Sequence, residues 1–287
     1  MELLNIALGG IAFGMVLFIV SVGLSVTMGL MGFVNLAHGA FAMLGGYIIA
    51  YALEDLGIGF VPAVAVGFLA VAAISVVLER ALYARLYRAS ELDQVLFTIG
   101  LIFVMIAAIT IIVGPETRPI TLPDWLRGQT NLGVVTYRTY SLAVIAVGIA
   151  LMIGLWLGFE RTRFGAKIRA AVDNRRMAQS MGVDVGILFT ITFAIGSGLA
   201  AIGGGLGAEI LGLDPQYPLR YLVYFLIVVS VGGLGRVSGV FLAALLIGVL
   251  DFALKLYFPK GGTLFIYAFT MVALLWRPQG LFGRRSG

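Results

Sequence analysis

The chain has 287 residues, of which 61% are hydrophobic and 11% charged, with no cysteine and a formal net charge of +5. A water-soluble domain carries about 25% charged residues, so a continuous polar shell is excluded and lipid must be the solvent over much of the exterior. The missing cysteines exclude disulfides and thiolate metal sites. In a membrane setting the positive excess belongs in cytoplasmic loops rather than against nucleic acid. No polar stretch is long enough to hold a core of its own, so 1–287 reads as one membrane domain.

A spanning helix needs about 20 apolar residues, and charge-poor stretches of that kind recur along the chain. The first is 6–29. The first Lys or Arg is Arg80, so 1–10 lacks the basic region of a secretory leader, and this stretch is expected to stay in the mature protein. After a break rich in Gly and Asn comes 36–53, then 61–78, 96–113 and 140–159. The stretch 187–208 carries Gly196, Gly198, Gly203, Gly204, Gly205 and Gly207. Such a small-residue face suits close helix packing, with a flexible gate or a contact to a partner chain as the alternative. Two short stretches, 221–232 and 237–250, flank a Gly-rich break, and 263–276 is last. Eight or nine of these nine are expected to cross, giving an all-α polytopic bundle with 8–9 transmembrane helices. The stretches are apolar all round, which excludes the alternating strands of a barrel.

Lys and Arg set the orientation. One set of loops holds Arg80, Arg85 and Arg88, the basic residues of 160–185, then Arg236, and finally Arg277, Arg284 and Arg285, 13 in all. The alternating set holds Arg118, Arg127, Arg138, Arg220, Lys255 and Lys260. The richer set is expected inside, with the C-terminus. The N-terminus is outside if 36–53 crosses and inside if it is re-entrant. The poorer set includes the long loop 114–139, with Pro115, Pro119, Pro123 and Trp125, expected against the outer surface.

The segment 160–185 carries the most information. Residues 169–181 favour a helix with Gly182 as its C-terminal cap, an apolar stripe of Ile168, Val172 and Met181, and basic residues around it. A solvated basic loop or an amphipathic helix on lipid fits the same pattern. The break 29–39 holds Asn35, His38 and Gly39. Its half-helix N–H groups are able to face an anionic solute group. Alternatively it is a tight turn near the cytoplasmic surface, with Asn35 capping the next helix. Gly39-x-Phe41 and Gly239-x-Phe241 follow the two breaks and hint at an internal repeat.

Ion-coupled carriers place a carboxylate inside the membrane. Here the acids, Glu79 among them, cluster at loops and span ends. Asp251 is the deepest, and Lys255 four residues on is placed to pair with it. No G-x-x-x-x-G-K-[ST] loop is present, so ATP is not bound in that mode. No G-x-S-x-G or H-E-x-x-H motif is present, and His38, the only histidine, excludes paired haem ligands.

The pattern G-x-x-x-R-A-A-x-x-N-x-x-x-A-x-x-x-G, at Gly165, Arg169, Ala170, Ala171, Asn174, Ala178 and Gly182, resembles the coupling-helix loop of importer permeases. Specifically it resembles the branched-chain amino-acid permeases of the LivH/LivM type. Three more segments agree with that family in its order: G-L-M-G-F-V-N-L-A-H-G at 29–39, G-G-L-G-R-V-S-G at 232–239 (with Gly232, Gly233 and Gly235) and R-P-Q-G-L-F-G at 277–283. The resemblance implies a multi-pass permease of the bacterial inner membrane, itself no enzyme and without a cofactor. It implies pairing with a second permease, similar or identical, two cytoplasmic ATPases that use the ATP, and a periplasmic substrate-binding protein. It implies that Gly165, Arg169, Asn174, Arg175, Arg176, Ala178 and Gly182 couple to the ATPase. Leucine, isoleucine and valine lead as substrates, with other amino acids, urea and short amides also carried by related permeases. An ion-coupled secondary transporter or channel is the alternative.

Overall fold

The computed structural model describes residues 2–87, 89–131, 133, 136–259 and 261–282. Met1, Arg88, Lys260, Gly283, Arg284 and Arg285, which entered the readings above, lie outside them. In a hydrocarbon solvent every backbone N–H and C=O must bond within its own segment, which selects helices. The helices are α1 (Glu2–Met31), α2 (His38–Glu54), α3 (Phe60–Leu78), α4 (Glu91–Ile112), α5 (Thr139–Arg161), α6 (Arg163–Asp173), α7 (Arg175–Ser180), α8 (Val185–Leu211), α9 (Tyr217–Gly232), α10 (Val237–Tyr257) and α11 (Gly262–Trp276). Each of the nine apolar stretches is therefore a helix. The departure from an all-α fold is a hairpin of β1 (Gln129–Asn131) and β2 (Thr136–Arg138), paired antiparallel through Thr130 and Tyr137.

Six helical segments are long and apolar enough to cross a membrane: Leu3–Gly29, Phe60–Leu86, Glu91–Ile112, Thr139–Arg161, Val185–Leu211 and Val237–Tyr257. Helices α2, α9 and α11 have 17, 16 and 15 residues, short of the length that by itself spans the apolar core. Helix α3 does not stop at Leu78. It runs on through a π-helical turn (Glu79–Tyr83) and a last α-helical turn (Ala84–Leu86). Glu79, expected at a span end, therefore sits inside a continuous helix, and it is 3% exposed.

Helices α1 and α8 form the centre: two thirds of each span is buried, against 11% for α5. Leu17, Phe18 and Ile19 on α1 have no exposed surface, whereas Leu69, Phe103, Ile111 and Leu275 on α3, α4 and α11 point outward as a lipid-facing surface does. Glycines decide how close the central helices come. A Cβ at Gly204 would sit 1.8 Å from the Ala42 carbonyl oxygen, and one at Gly23 2.3 Å from the Gly196 oxygen. Gly203 and Gly207 lie against Val20 and Val16, and Gly198 against Phe68. The glycine-rich face of α8 thus packs against α1, α2 and α3 together. The pairs Gly10–Val249, Gly14–Ala244 and Gly29–Gly235 set α10 antiparallel to α1.

The two faces of the bundle differ. One carries the hairpin and the loop 114–139, tied down by Arg118 to Glu54 and Asp55 and by the Arg118 N–H to the Leu213 carbonyl. The opposite face carries α6, α7, the α9–α10 turn and residues 277–282, and is called the basic face below. Substituting Gly204→Ala forces the α2 and α8 backbones apart and is expected to cost about 1–3 kcal/mol. Gly100→Ala, with nothing within 4 Å of the new Cβ, is expected to leave thermal unfolding in detergent at the wild-type midpoint; equal midpoints for the two variants would contradict the packing argument.

Candidate functional site

The chain leaves α5 through Thr162, whose hydroxyl accepts from the Gly165 N–H (3.2 Å) and caps α6. Gly165 is needed because a Cβ there would lie 1.9 Å from the Phe159 carbonyl oxygen. The Arg169 guanidinium donates to that same carbonyl. It places a positive charge at the C-terminal end of α5, where the helix dipole favours one. Ile168 and Ala171 are buried beneath α6, and Val172 is half exposed.

The single helix expected over 169–181 is two helices. Asn174 leaves helical geometry (φ −149°, ψ 96°), and its Oδ1 accepts from the Met177 N–H at 2.9 Å, capping α7. Asparagine competes for nearby backbone donors in this way, so it favours caps over helix interiors. Gly182 is the cap read from sequence. At φ +81° its N–H reaches the Gln179 carbonyl while the Val183 N–H reaches the Ala178 carbonyl, the paired bonds of a Schellman ending. Ala178 is buried and Arg176 exposed. The Arg175 guanidinium stacks over the Phe189 ring of α8 at 5.1 Å. Arg169 and Asn174 therefore build the segment, and Arg175 fastens it to the bundle.

Segments far apart in sequence meet beside it. The Gly235 N–H donates to Ser25 Oγ (3.0 Å) of α1, and Gly29 lies against Gly235. Gly233 and Gly235 turn the chain from α9 to α10 at φ +85° and +71°, and Gly232 touches Val240 just beyond. Arg236 Nη1 donates to the Phe282 carbonyl at 2.6 Å, and the Phe282 N–H to Val231. Between this turn and α6 lies a groove of about 920 Å³, lined among others by Gly29, Arg169, Asp173, Gly235, Arg236 and Gln279. All four sequence segments that carried the family resemblance contribute to it.

The break before α2 is deeper than expected. His38 Nε2 lies against Gly23, eight residues from the end of α1 and beside Gly196, eleven from the start of α8. At 1.5 Å per residue that is about 12–16 Å along either helix. Irregular backbone at such depth is tolerated where protein buries it or it lines a cavity. Asn35 does not cap α2; Ala37 takes that place without a side-chain bond. Asn35 Oδ1 instead accepts from the Tyr83 hydroxyl at 3.1 Å, and Gly39 packs on Pro218 and Phe225. The Asn35 amide nitrogen, both His38 ring nitrogens and the hydroxyls of Ser21, Ser197, Tyr47 and Tyr217 are buried without a well-formed protein hydrogen bond. The Val20 carbonyl lies near His38. An unpaired buried polar group costs about 1–3 kcal/mol, so these are the places where water or a polar solute would be stabilised.

Glu79, read from sequence as a span-end acid, is buried. It accepts from Thr190 Oγ1 of α8 at 2.8 Å and from the Tyr87 hydroxyl. The signal was present: Ala81, Leu82, Tyr83 and Leu86 continue the apolar pattern beyond it. Asp251 pairs with Lys255 (2.7 Å), as its spacing predicts, and accepts from the Tyr224 hydroxyl at 2.8 Å. Among the described residues no cluster of His, Asp and Glu suits a metal.

A multi-pass membrane bundle whose motif-bearing segments converge on one face is the class defined so far. Residues 6–275 match the family model described as the permease component of the branched-chain amino acid transport system. The chain belongs to that family. It is 25% identical to the high-affinity branched-chain amino acid transport system permease protein BraD of Pseudomonas aeruginosa, over 96% of this chain and 94% of that one. It is 24% identical to the corresponding LivH of Escherichia coli, with the same coverage. A probable LivH of Methanocaldococcus jannaschii is 24% identical over 93% of this chain and 86% of its own. PsaBC from Streptococcus pneumoniae in complex with Fab shares the fold at a TM-score of 0.53 and 14% identity, covering 94% of this chain and 91% of that chain.

Removing the Asn174 cap with Asn174→Ala is expected to cost α7 about 1 kcal/mol, and Gly182→Ala a similar amount through strain at positive φ. Amide hydrogen exchange over 175–183 should quicken several-fold in both while α8 stays protected; unchanged exchange in both would refute the two-cap description.

Proposed function

We propose that the chain is the membrane-spanning permease subunit of an ATP-driven importer, carrying branched-chain amino acids or related amino acids and amides across the bacterial inner membrane by alternating access. The observation that carries this reading is the convergence of the four family-like segments on one groove beside α6 and α7. In it the whole chain is one transmembrane domain with eight or nine crossings. The basic face and the C-terminus are cytoplasmic, and α2 runs beside α8 from the level of Gly196 to that of Gly205, so the N-terminus is outside. Two ATPases bind ATP and dock on α6 and α7, a second permease completes the pathway, and a periplasmic binding protein delivers solute.

The chain's own contribution is mechanical. Gly165, Asn174 and Gly182 give α6 and α7 defined ends, and Arg169 and Arg175 tie them to α5 and α8, so a push there moves the bundle. Inside, the deep break at Asn35, His38 and Gly39 and the unpaired polar atoms around it suit a solute with polar ends. No cofactor is required on this chain.

The ion-coupled carrier is the rival, and Asp251 its best acid. Its pairing with Lys255 and Tyr224 argues for a structural role. Reconstituted with its ATPases, second permease and binding protein, the chain is expected to accumulate leucine only with ATP, and Asp251→Asn to retain that ATP dependence. Uphill uptake by the chain alone under a proton or sodium gradient would overturn the importer reading.

A further inference from the structure

We propose that Glu79 is the positioning residue through which movement of α7 reaches the deep break at 32–38. The inference rests on the importer reading and names the internal link it needs. Glu79 is a buried carboxylate, 3% exposed, that accepts from two neutral hydroxyls, Thr190 of α8 and Tyr87 at the end of the α3 extension. A neutral or apolar side chain would hold a purely structural contact at lower desolvation cost.

The carboxylate also opens a π-helical turn, Glu79–Tyr83. Such turns are rare, and they concentrate at functional positions. The turn faces two ways. Toward the basic face, the Tyr87 ring meets Phe189 edge-on at 5.9 Å, and the Arg175 guanidinium of α7 lies over that same phenylalanine. Toward the interior, the Tyr83 hydroxyl donates to Asn35, and the Tyr83 ring packs on Phe33 and Phe193 at 5.3 and 4.8 Å. Gln94 ties the same break from α4, accepting from the Val34 N–H at 3.2 Å.

The connected contacts therefore run from Arg175 through Phe189 and Tyr87 to Glu79, and from the same π turn through Tyr83 to Asn35, three residues before His38. A tilt of α7 displaces Phe189 and Tyr87. With Glu79 holding Tyr87 and Thr190 together, the turn moves as one body and carries Tyr83 with it. Without the carboxylate, the α3 extension slides past α8 and the break does not follow.

The test uses the complete transporter in proteoliposomes, with ATP hydrolysis and leucine uptake measured on the same vesicles for wild type, Glu79→Ala, Tyr87→Phe and Thr190→Val. The expected result is full assembly with the ATPases and sustained hydrolysis, but about tenfold less leucine moved per ATP in Glu79→Ala, within the usual range of coupling between sites, and smaller losses in the two hydroxyl variants. Glu79→Asp should restore part of the ratio. Uptake and hydrolysis falling in parallel, or an unchanged ratio in all variants, would show that Glu79 only holds the fold. If Glu79→Ala does not assemble, the two hydroxyl variants decide by the same ratio. Wild-type vesicles that take up neither leucine nor another amino acid or short amide with ATP would instead count against the importer reading itself.

Discussion

The close approach of α1, α2 and α8 through glycine is the constraint on which the rest of the molecule depends. Lipid gives helices no hydrophobic reason to associate, so contact area and backbone proximity must supply the cohesion. Gly23, Gly196 and Gly204 let carbonyl oxygens of one helix reach the backbone of another, which makes the centre thin and dense. A thin centre in turn allows α2 to begin deep inside the bundle, at His38, with its irregular lead-in shielded from lipid by α1 and α8.

That depth places polar chemistry where the bilayer would otherwise forbid it. His38, Asn35 and the hydroxyls of Ser21 and Ser197 are buried among apolar neighbours. The Asp251–Lys255 pair shows the opposite arrangement. Charge is cancelled within one helix, with Lys255 on one carboxylate oxygen and the Tyr224 hydroxyl on the other. That contrast is why the proposed solute path runs by the first site rather than the second.

The basic face is built from helix ends rather than helix sides. Thr162, Asn174 and Asp184 cap successive helices at their N-termini. Arg169 caps the end of α5, and Gly182 closes α7. Each end is satisfied locally, so the segment between α5 and α8 is firm although most of its side chains are exposed. In the proposed importer, this exposed segment, tied to α8 through Arg175 and Phe189, would be the mechanical input, and the π turn of α3 the element that passes the movement inward.

Composition and periodicity determined the solvent, the helical class and all nine apolar helices, because each follows from local hydrophobicity and the need to satisfy the backbone within one segment. Gly182 likewise acts within a turn of itself, so the C-terminal end of the surface segment was legible; its start at Arg163 rather than 169, and the competition that splits it at Asn174, were not. Tertiary structure alone decided the rest. That Gly29, residues of 168–173 and 233–238, and Gln279 share a groove depends on packing between residues up to 250 positions apart. Glu79 looked like a span end because a charge interrupts an apolar run; only the hydroxyls of Thr190 and Tyr87, brought to it by α8 and the turn beyond, make its burial affordable. The depth of His38 was hidden for the same reason: it is set by which glycines of two other helices it lies against.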